Sequence, residues 1–248
     1  MLTKTRFGQL IFVDTRDVSI SPHIIMSGDW EPWVTDALSR TFLWAGSTFI
    51  DVGANCGWYS LLAAARGMKV MSFEPNVALC TLMGQTRAVN GFTDRWQIMD
   101  RALSAKTGEA VTLMLDAYNQ GGAHLEHAPG YPREWGETVD ALPHPKDGVH
   151  FTSCLDDEVP PGTKVDLIKI DVEGYEHAVL QGAQRILSEN QDLVLAVEHH
   201  AGDREMIEWL QGLGFELGHF SHAGRVVDCS IDAACALADA EMLCFSRS

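Results

Sequence analysis

Residues Phe49–Ser60 read FIDVGANCGWYS: an apolar strand pattern, a glycine turn from Asp51 to Gly57, and the start of a helical pattern, WYSLLAAAR, that ends at Arg66. Turns between a buried strand and a helix hold the phosphates of dinucleotides or nucleoside triphosphates, or a cofactor with an amino-acid tail and no phosphate. A dinucleotide turn needs glycine at the middle of G-x-G-x-x-G so that the backbone can approach the pyrophosphate, and here that place is Asn55. A P-loop is excluded, because no Gly-Lys-Ser/Thr follows. Asp51 would repel an anion, but it suits a cationic group such as an α-ammonium. S-adenosylmethionine carries such an ammonium and a sulfonium. The anion-binding reading loses.

Working outward, strand and helix signals alternate. KVMSF (Lys69–Phe73), RWQIM (Arg95–Met99), VDLIKI (Val165–Ile170) and DLVLAVE (Asp192–Glu198) are near-continuous apolar runs, as expected of strands buried on both faces. A helix is expected from about Asn76 to Asn90, stopped by Gly91, and helical patterns follow the later strands. Right-handed crossovers then place helices on both faces of a doubly wound, mostly parallel α/β sheet. Three regions break the rhythm. Residues 1–45 read as a cap, with a short β-like start and one helix from around Asp29 to Trp44 or Gly46. Residues 116–148 are rich in Gly, Pro and His with Tyr118, Tyr131 and Trp135 among them, and read as a lid or binding loop inside the 46–248 domain. FELGHF (Phe215–Phe220) and MLCFS (Met242–Ser246) read as closing strands, a hairpin at the sheet edge.

The 248 residues are 46% hydrophobic, enough for one sizeable core. A net charge of −16 argues against nucleic-acid and anionic-membrane partners, which require a basic field. No apolar run approaches the length of a membrane span. Six cysteines without a C-x-x-C pair, and no signal peptide in view, point to reduced thiols in a soluble, cytoplasmic protein.

Further candidate residues cluster at strand ends. Glu74, followed by Pro75, lies 21 residues beyond Gly53, where doubly wound folds place an acid that accepts from ribose hydroxyls. Its plainer reading is a cap for the helix near Asn76. Lys169, Asp171 and Glu173 end a buried strand, at the sheet edge where such folds place reactive groups; an extended chain would point Asp171 and Glu173 the same way, and a pairing of Lys169 with one carboxylate explains the cluster structurally. AVEHH ends the next strand with Glu198, His199 and His200, and an imidazole there could accept a proton. Asp171, Glu198, His199, His124 and His127 offer oxygen and nitrogen ligands, but no tight spacing such as H-E-x-x-H occurs, and no metal is assigned.

Together FIDVGANCGWYS, SFEPN (Ser72–Asn76), ALSAKTGEA (Ala102–Ala110), NQGGAHL (Asn119–Leu125), TSCLDD (Thr152–Asp157) and DLIKIDVEGYEHAVLQGA resemble the FkbM-type family of S-adenosylmethionine-dependent methyltransferases. Upstream, GDWEPWVTDALSRTFLWAGSTFID resembles the family's lead-in helix, with Glu31 on its acidic position, and TSCLDD its strand before the fourth core strand. The likeness spans roughly residues 28–200. It implies a seven-stranded Rossmann-like sheet, with Asp51, Gly53, Ala54, Asn55 and Gly57 lining the methionine end of the cofactor. It further implies Glu74 and Pro75 at the ribose, Asp100, Arg101 and Ala102 beside the adenine, and Asp171 at the methyl-transfer site. Family members are mostly O-methyltransferases acting on sugars, macrolides and other natural products, so the expected acceptor is a hydroxyl on a small or glycosylated molecule. Cys56 and Trp58 depart from the pattern, and Trp58 is expected to narrow the site. Asp171 or His199 is the expected base. Tyr118, Asn119, His124, Trp135 and Glu173 are the expected substrate contacts. N-methylation is the runner-up, a nicotinamide-dependent oxidoreductase a more distant alternative, and residues 1–45 a candidate homodimer contact.

Overall fold

A computed structural model describes residues 1–114, 124–125, 146–200, 203–238 and 241–247, with 124–125 and 146–149 as backbone only. Two short antiparallel strands, β1 (Leu2–Lys4) and β2 (Leu10–Phe12), precede helices α1 (Ile20–Ser27) and α2 (Pro32–Thr41). The alternation then begins with β3 (Thr48–Val52), α3 (Trp58–Ala65), β4 (Lys69–Phe73), α4 (Val77–Val89) and β5 (Trp96–Met99). Strands β6 (Ala102–Leu103), β7 (Ala110–Met114), β8 (His124–Leu125) and β9 (Lys146–Ser153) follow, then the short helix α5 (Leu155–Glu158). The alternation resumes with β10 (Leu167–Ile170), α6 (Glu176–Gln181), α7 (Gln184–Glu189), β11 (Val194–His199) and α8 (Arg204–Gly212). The chain closes with β12 (Glu216–Ser221), β13 (Arg225–Asp228), α9 (Ile231–Cys235) and β14 (Glu241–Ser246).

The main sheet runs β13-β12-β14-β11-β10-β3-β4-β5. The five strands from β11 to β5 are parallel, with Ile50 level with Met71 on one side and Ile168 on the other. β14 and β13 run antiparallel to their neighbours, so the sheet is mixed and eight-stranded rather than seven-stranded. The expected edge hairpin is also corrected. MLCFS lies between β11 and β12, and its residues Met242 to Phe245 are all buried, as an interior strand requires. The edge is β13, whose Arg225 and Asp228 are exposed, as suits an edge protected by charge.

Local chemistry sets the helix limits. The single helix expected near Asp29–Trp44 is instead two: Gly28, at φ 70°, ends α1, and Pro32 opens α2. Asn76 caps α4 by accepting from the Ala78 N–H at 3.0 Å. The pattern after Gly174 also splits, into α6 and α7, with Gly182 between them; a β-carbon there would sit 2.2 Å from the Ser104 carbonyl oxygen, so the close approach requires glycine. A second sheet, ordered β6-β9-β7-β8, takes up residues 124–125 and 146–148 of the expected 116–148 loop. TSCLDD is therefore the end of β9 plus most of α5.

Side-chain alternation divides the core into two layers. Phe49, Val70, Leu167 and Ala196 face one layer; Ile50, Phe73, Ile168, Ile170, Leu195 and Val197 face the other. The N-terminal segment completes the first layer, where Ile11, Val13, Ile24, Val34 and Leu38 pack with Trp58, Met83 and Trp96. Thr86 of α4 and Asn90, just past its end, bond the backbone of Phe12 and Leu10 and fix that segment in place. The six cysteines are unpaired, two buried and four half-buried. No described helix is long and apolar enough to cross a membrane.

Candidate functional site

The glycine turn leaves β3 at the carboxyl edge of the sheet, where the strand order reverses between β4 and β10. Its backbone N–H groups are already used. Those of Gly53 and Ala54 donate to the Phe73 carbonyl at 2.9 and 3.1 Å, and that of Gly57 to the Ala54 carbonyl at 2.8 Å. The Asn55 N–H donates to Glu74 Oε2 at 2.9 Å, and the Cys56 N–H to Asn55 Oδ1 at 2.7 Å. A phosphate-binding turn must point such groups at its anion. This one cannot, from Gly53 to Gly57.

The turn's glycines answer to protein packing. A β-carbon on Gly57 (φ 80°) would lie 2.8 Å from Met83 Cγ and 2.9 Å from Trp96 Cζ2. Asn55, at φ 51°, takes the left-handed conformation that Asn tolerates better than most residues. Trp58 does not narrow the site. It is 2% exposed and turned into the N-terminal segment, donating from Nε1 to Thr35 Oγ1 at 2.8 Å.

Asp51 is 0% exposed, so it faces the core rather than a ligand. Its Oδ2 accepts from the Ser60 N–H at 3.1 Å and hydroxyl at 2.6 Å, which ties α3 to β3. Behind Ser60 the chain continues through Ser72 to Trp96 Nε1, each contact 2.6 Å. Asp51 Oδ1 has no hydrogen bond and lies 4.0 Å from Lys169 Nζ. Burial raises the Asp51 carboxyl, and Lys169 opposes that rise.

Lys169 joins this buried acid to the open one. Its ammonium, buried under the Tyr59 ring (5.1 Å to the centroid), bonds Asp171 Oδ2 at 2.9 Å. Burial alone would lower its pKa, but Asp171 and Asp51 outweigh that and raise it. The pairing expected for Lys169 is thus present, and the Asp171 side chain is 29% exposed at the end of β10. On the same side the Tyr59 hydroxyl donates to Glu31 Oε2, and burial, with Asp171 close by, raises the Glu31 carboxyl. Glu31 enters because it sits in the left-handed region (φ 40°) just before Pro32.

Glu74 is 6% exposed, and its two oxygens accept from the Asn55 and Asn76 N–H groups, both at 2.9 Å. The cap of α4 is thus Asn76 and not Glu74, which instead braces the turn against the residue that caps the helix, and each oxygen keeps a lone pair for a further donor. Burial lifts this carboxyl to about 7. Pro75 follows half-buried. Beyond β5, Asp100 and Arg101 are exposed and bonded to each other at 2.9 Å, and Ala102 is buried.

At the ends of β10 and β11 the expected histidine is the wrong one. His199 shares its face with Leu195 and Val197, opposite to Lys169 and Asp51, and is 1% exposed. Its Nδ1 lies 3.3 Å from Asp203, and neither ring nitrogen has a hydrogen bond. Glu198 and His200 share the other face and meet at 3.0 Å. Burial raises the Glu198 carboxyl, and Asp171 adds to the rise. For His200 burial acts downward, but Glu176 and Glu198 hold the imidazole up at about 11. Glu173 does not continue an extended strand from Asp171. It turns left-handed at φ 55° and approaches His200, and burial lifts its carboxyl to about 7. Tyr118, Asn119 and Trp135 lie outside the described residues, as does the His124 side chain.

Comparison with known proteins gives one family match. The model of the methyltransferase FkbM domain matches residues 51–217, more than half of the chain. No curated protein matches. Similar solved structures include a precorrin-6y C5,15-methyltransferase from Geobacter metallireducens, at 10% identity over 96% of this chain and 98% of that one (TM-score 0.47). A SAM-dependent O-methyltransferase from Thermotoga maritima is 13% identical over 100% of this chain and 77% of that one (TM-score 0.48). A magnesium protoporphyrin IX methyltransferase from Synechocystis, solved with bound SAM, is 13% identical over 87% and 76% (TM-score 0.44).

Proposed function

This chain belongs to the FkbM-domain family of methyltransferases, with S-adenosylmethionine as methyl donor, and we propose that it methylates a hydroxyl of a small or glycosylated molecule with Asp171 as proton acceptor. The observation that carries the reading is Asp171 itself. It is the partly exposed carboxylate at the open end of β10, bonded to Lys169 on the face of the sheet that carries Asp51 and the glycine turn.

The site suits this donor in two ways. Its turn offers no free N–H to a phosphate from Gly53 to Gly57, and its face is rich in carboxylates, which favour a cationic guest. Gly53, Ala54, Asn55 and Gly57 would border the methionine end. Glu74, with Pro75 behind it, would accept from ribose hydroxyls, and Asp100, Arg101 and Ala102 would flank the adenine. Asp51 acts from beneath the turn. When bound, the donor supplies a methyl group on a sulfonium, an activated leaving group already in place.

The chain's own work is positioning and proton transfer. An acceptor hydroxyl held at near-attack distance, roughly 3–3.5 Å, needs little further activation. Its proton becomes strongly acidic as the new C–O bond forms, so a salt-bridged carboxylate is base enough. The hydroxyl proton would pass to an Asp171 oxygen as the acceptor oxygen gains the methyl that the bound donor would supply from its sulfonium. Lys169 holds the carboxylate in place, and Glu173 contributes to acceptor binding.

The test follows transfer of labelled methyl into a panel of hydroxylated, glycosylated and amine acceptors, with wild type and Asp171→Asn. Transfer to hydroxyls is expected, falling by about 10²–10⁴-fold in the variant while donor affinity stays within a few-fold. Transfer to amines alone, or undiminished turnover by the variant, overturns the proposal.

A further inference from the structure

We propose that Glu173, Glu198 and His200 form a binding site for one divalent transition-metal ion at the mouth of β10 and β11. Each residue offers one ligand atom, and these atoms all lie within 4.8 Å of one another. The parallel pairing of β10 and β11, with Ile170 level with Val197, brings the ends of the two strands side by side. Glu198 and His200 then project on one side, and the left-handed turn at Glu173 brings the third ligand across from the neighbouring strand.

Charge gives a separate reason for a cation. Glu198 is 8% exposed, and Glu176, 2% exposed, lies 3.6 Å from His200 Nε2. Among the described residues, the ion-pair partner of both Glu176 and Glu198 is the single imidazole of His200. Asp171 adds to the negative field, while its Lys169 partner is shared with buried Asp51. One imidazole therefore faces several buried or half-buried carboxylates, and a dication makes up the deficit. Glu176 is itself anchored by the Val172 and Gly174 N–H groups at 3.0 and 3.1 Å, and it faces the same Nε2 of His200 that meets Glu198.

The donor set narrows the metal. Two carboxylates and an imidazole suit Mn²⁺, Fe²⁺ or Zn²⁺, whereas Mg²⁺ and Ca²⁺ prefer oxygen alone. Three protein ligands leave positions open, as in sites where an ion polarises a substrate oxygen. That role would deepen the hydroxyl-methylation reading above and rests on it; binding of the ion does not.

The experiment therefore uses the full chain without donor or acceptor. The protein is stripped with a chelator and titrated with Mn²⁺, followed by calorimetry and electron paramagnetic resonance. One ion per chain is expected, with nitrogen coupling from an imidazole in the wild-type spectrum. Glu198→Gln and Glu173→Gln should each weaken binding by more than about ten-fold, since even a partner one step removed from an ion is worth about 10–100-fold. Asp94→Asn, on a distant exposed residue, should leave it unchanged. No stoichiometric Mn²⁺, or bound Mn²⁺ without nitrogen coupling, overturns the proposal. The wild-type spectrum decides even if a variant fails to fold.

Discussion

The carbonyl oxygen of Asp171 lies 1.8 Å from the point where a β-carbon on residue 53 would stand, so Gly53 and the end of β10 interlock. The closeness of two strand ends, more than the approach of a ligand, demands glycine here. With φ at 72°, any L side chain is strained as well. Gly53→Ala is expected to cost more than about 3 kcal/mol, combining left-handed strain with backbone overlap. Gly46→Ala is the control: φ is 88° but nothing lies within 4 Å, so about 1–2 kcal/mol is expected. Urea unfolding of the two variants checks the contrast, and equal losses would refute it.

Removing the Ser60 hydroxyl takes away one of the two hydrogen bonds that Asp51 accepts. Ser60→Ala is expected to lose about 1–3 kcal/mol, whereas Ser188→Ala, on an exposed hydroxyl, should lie within about 0.5 kcal/mol of wild type. Denaturant midpoints compared at constant slope measure both.

Lys169→Met strands a buried carboxylate. A loss of about 3–5 kcal/mol is expected at neutral pH, since breaking a buried pair leaves an uncompensated charge. The pH dependence has a definite sign. Burial raises the folded-state pKa of Asp51, and losing Lys169 raises it further, so the folded variant holds a proton that the unfolded chain gives up. Its deficit relative to wild type should shrink at acid pH and grow as pH rises. Thermal unfolding at pH 5 and pH 8 reads this directly, and an unchanged deficit would count against the Asp51–Lys169 pairing.

Cofactor affinity should follow the state of Glu74, which burial places at about 7. Ribose hydroxyls donate best to the ionised carboxylate. Affinity should therefore tighten as pH rises, by up to about tenfold per unit below about 7, and level off above it. Calorimetric titrations from pH 6 to pH 8 check this, with Glu74→Gln expected to flatten the curve. A flat wild-type curve would remove Glu74 from the ribose.

The sheet was largely legible because its central strands are buried on both faces and leave apolar runs such as VDLIKI. β13 was not, since RVVD at an exposed edge has no such run, and the place of β14 depends on a crossover that spacing does not encode. At the site, the Lys169–Asp171 pair followed from local sequence, whereas the helix cap expected of Glu74 falls to Asn76, two residues on. Asp51 was expected to face a ligand, but its partner Ser60 sits nine residues on, across the turn, and draws the carboxylate inward. The place of His199 was not legible, because sequence alone does not set which face of β11 lies beside Lys169. The Lys169–Ala196 register settles that, and the alternation Ala196, Glu198, His200 then follows.

The cofactor assignment is tested most directly by a paired titration of the 248-residue chain with S-adenosylmethionine and with NAD. One S-adenosylmethionine per chain is expected, displaced by its demethylated product, with no heat from NAD, because the turn has no free N–H to offer a diphosphate from Gly53 to Gly57. Saturable NAD binding without S-adenosylmethionine binding would contradict it.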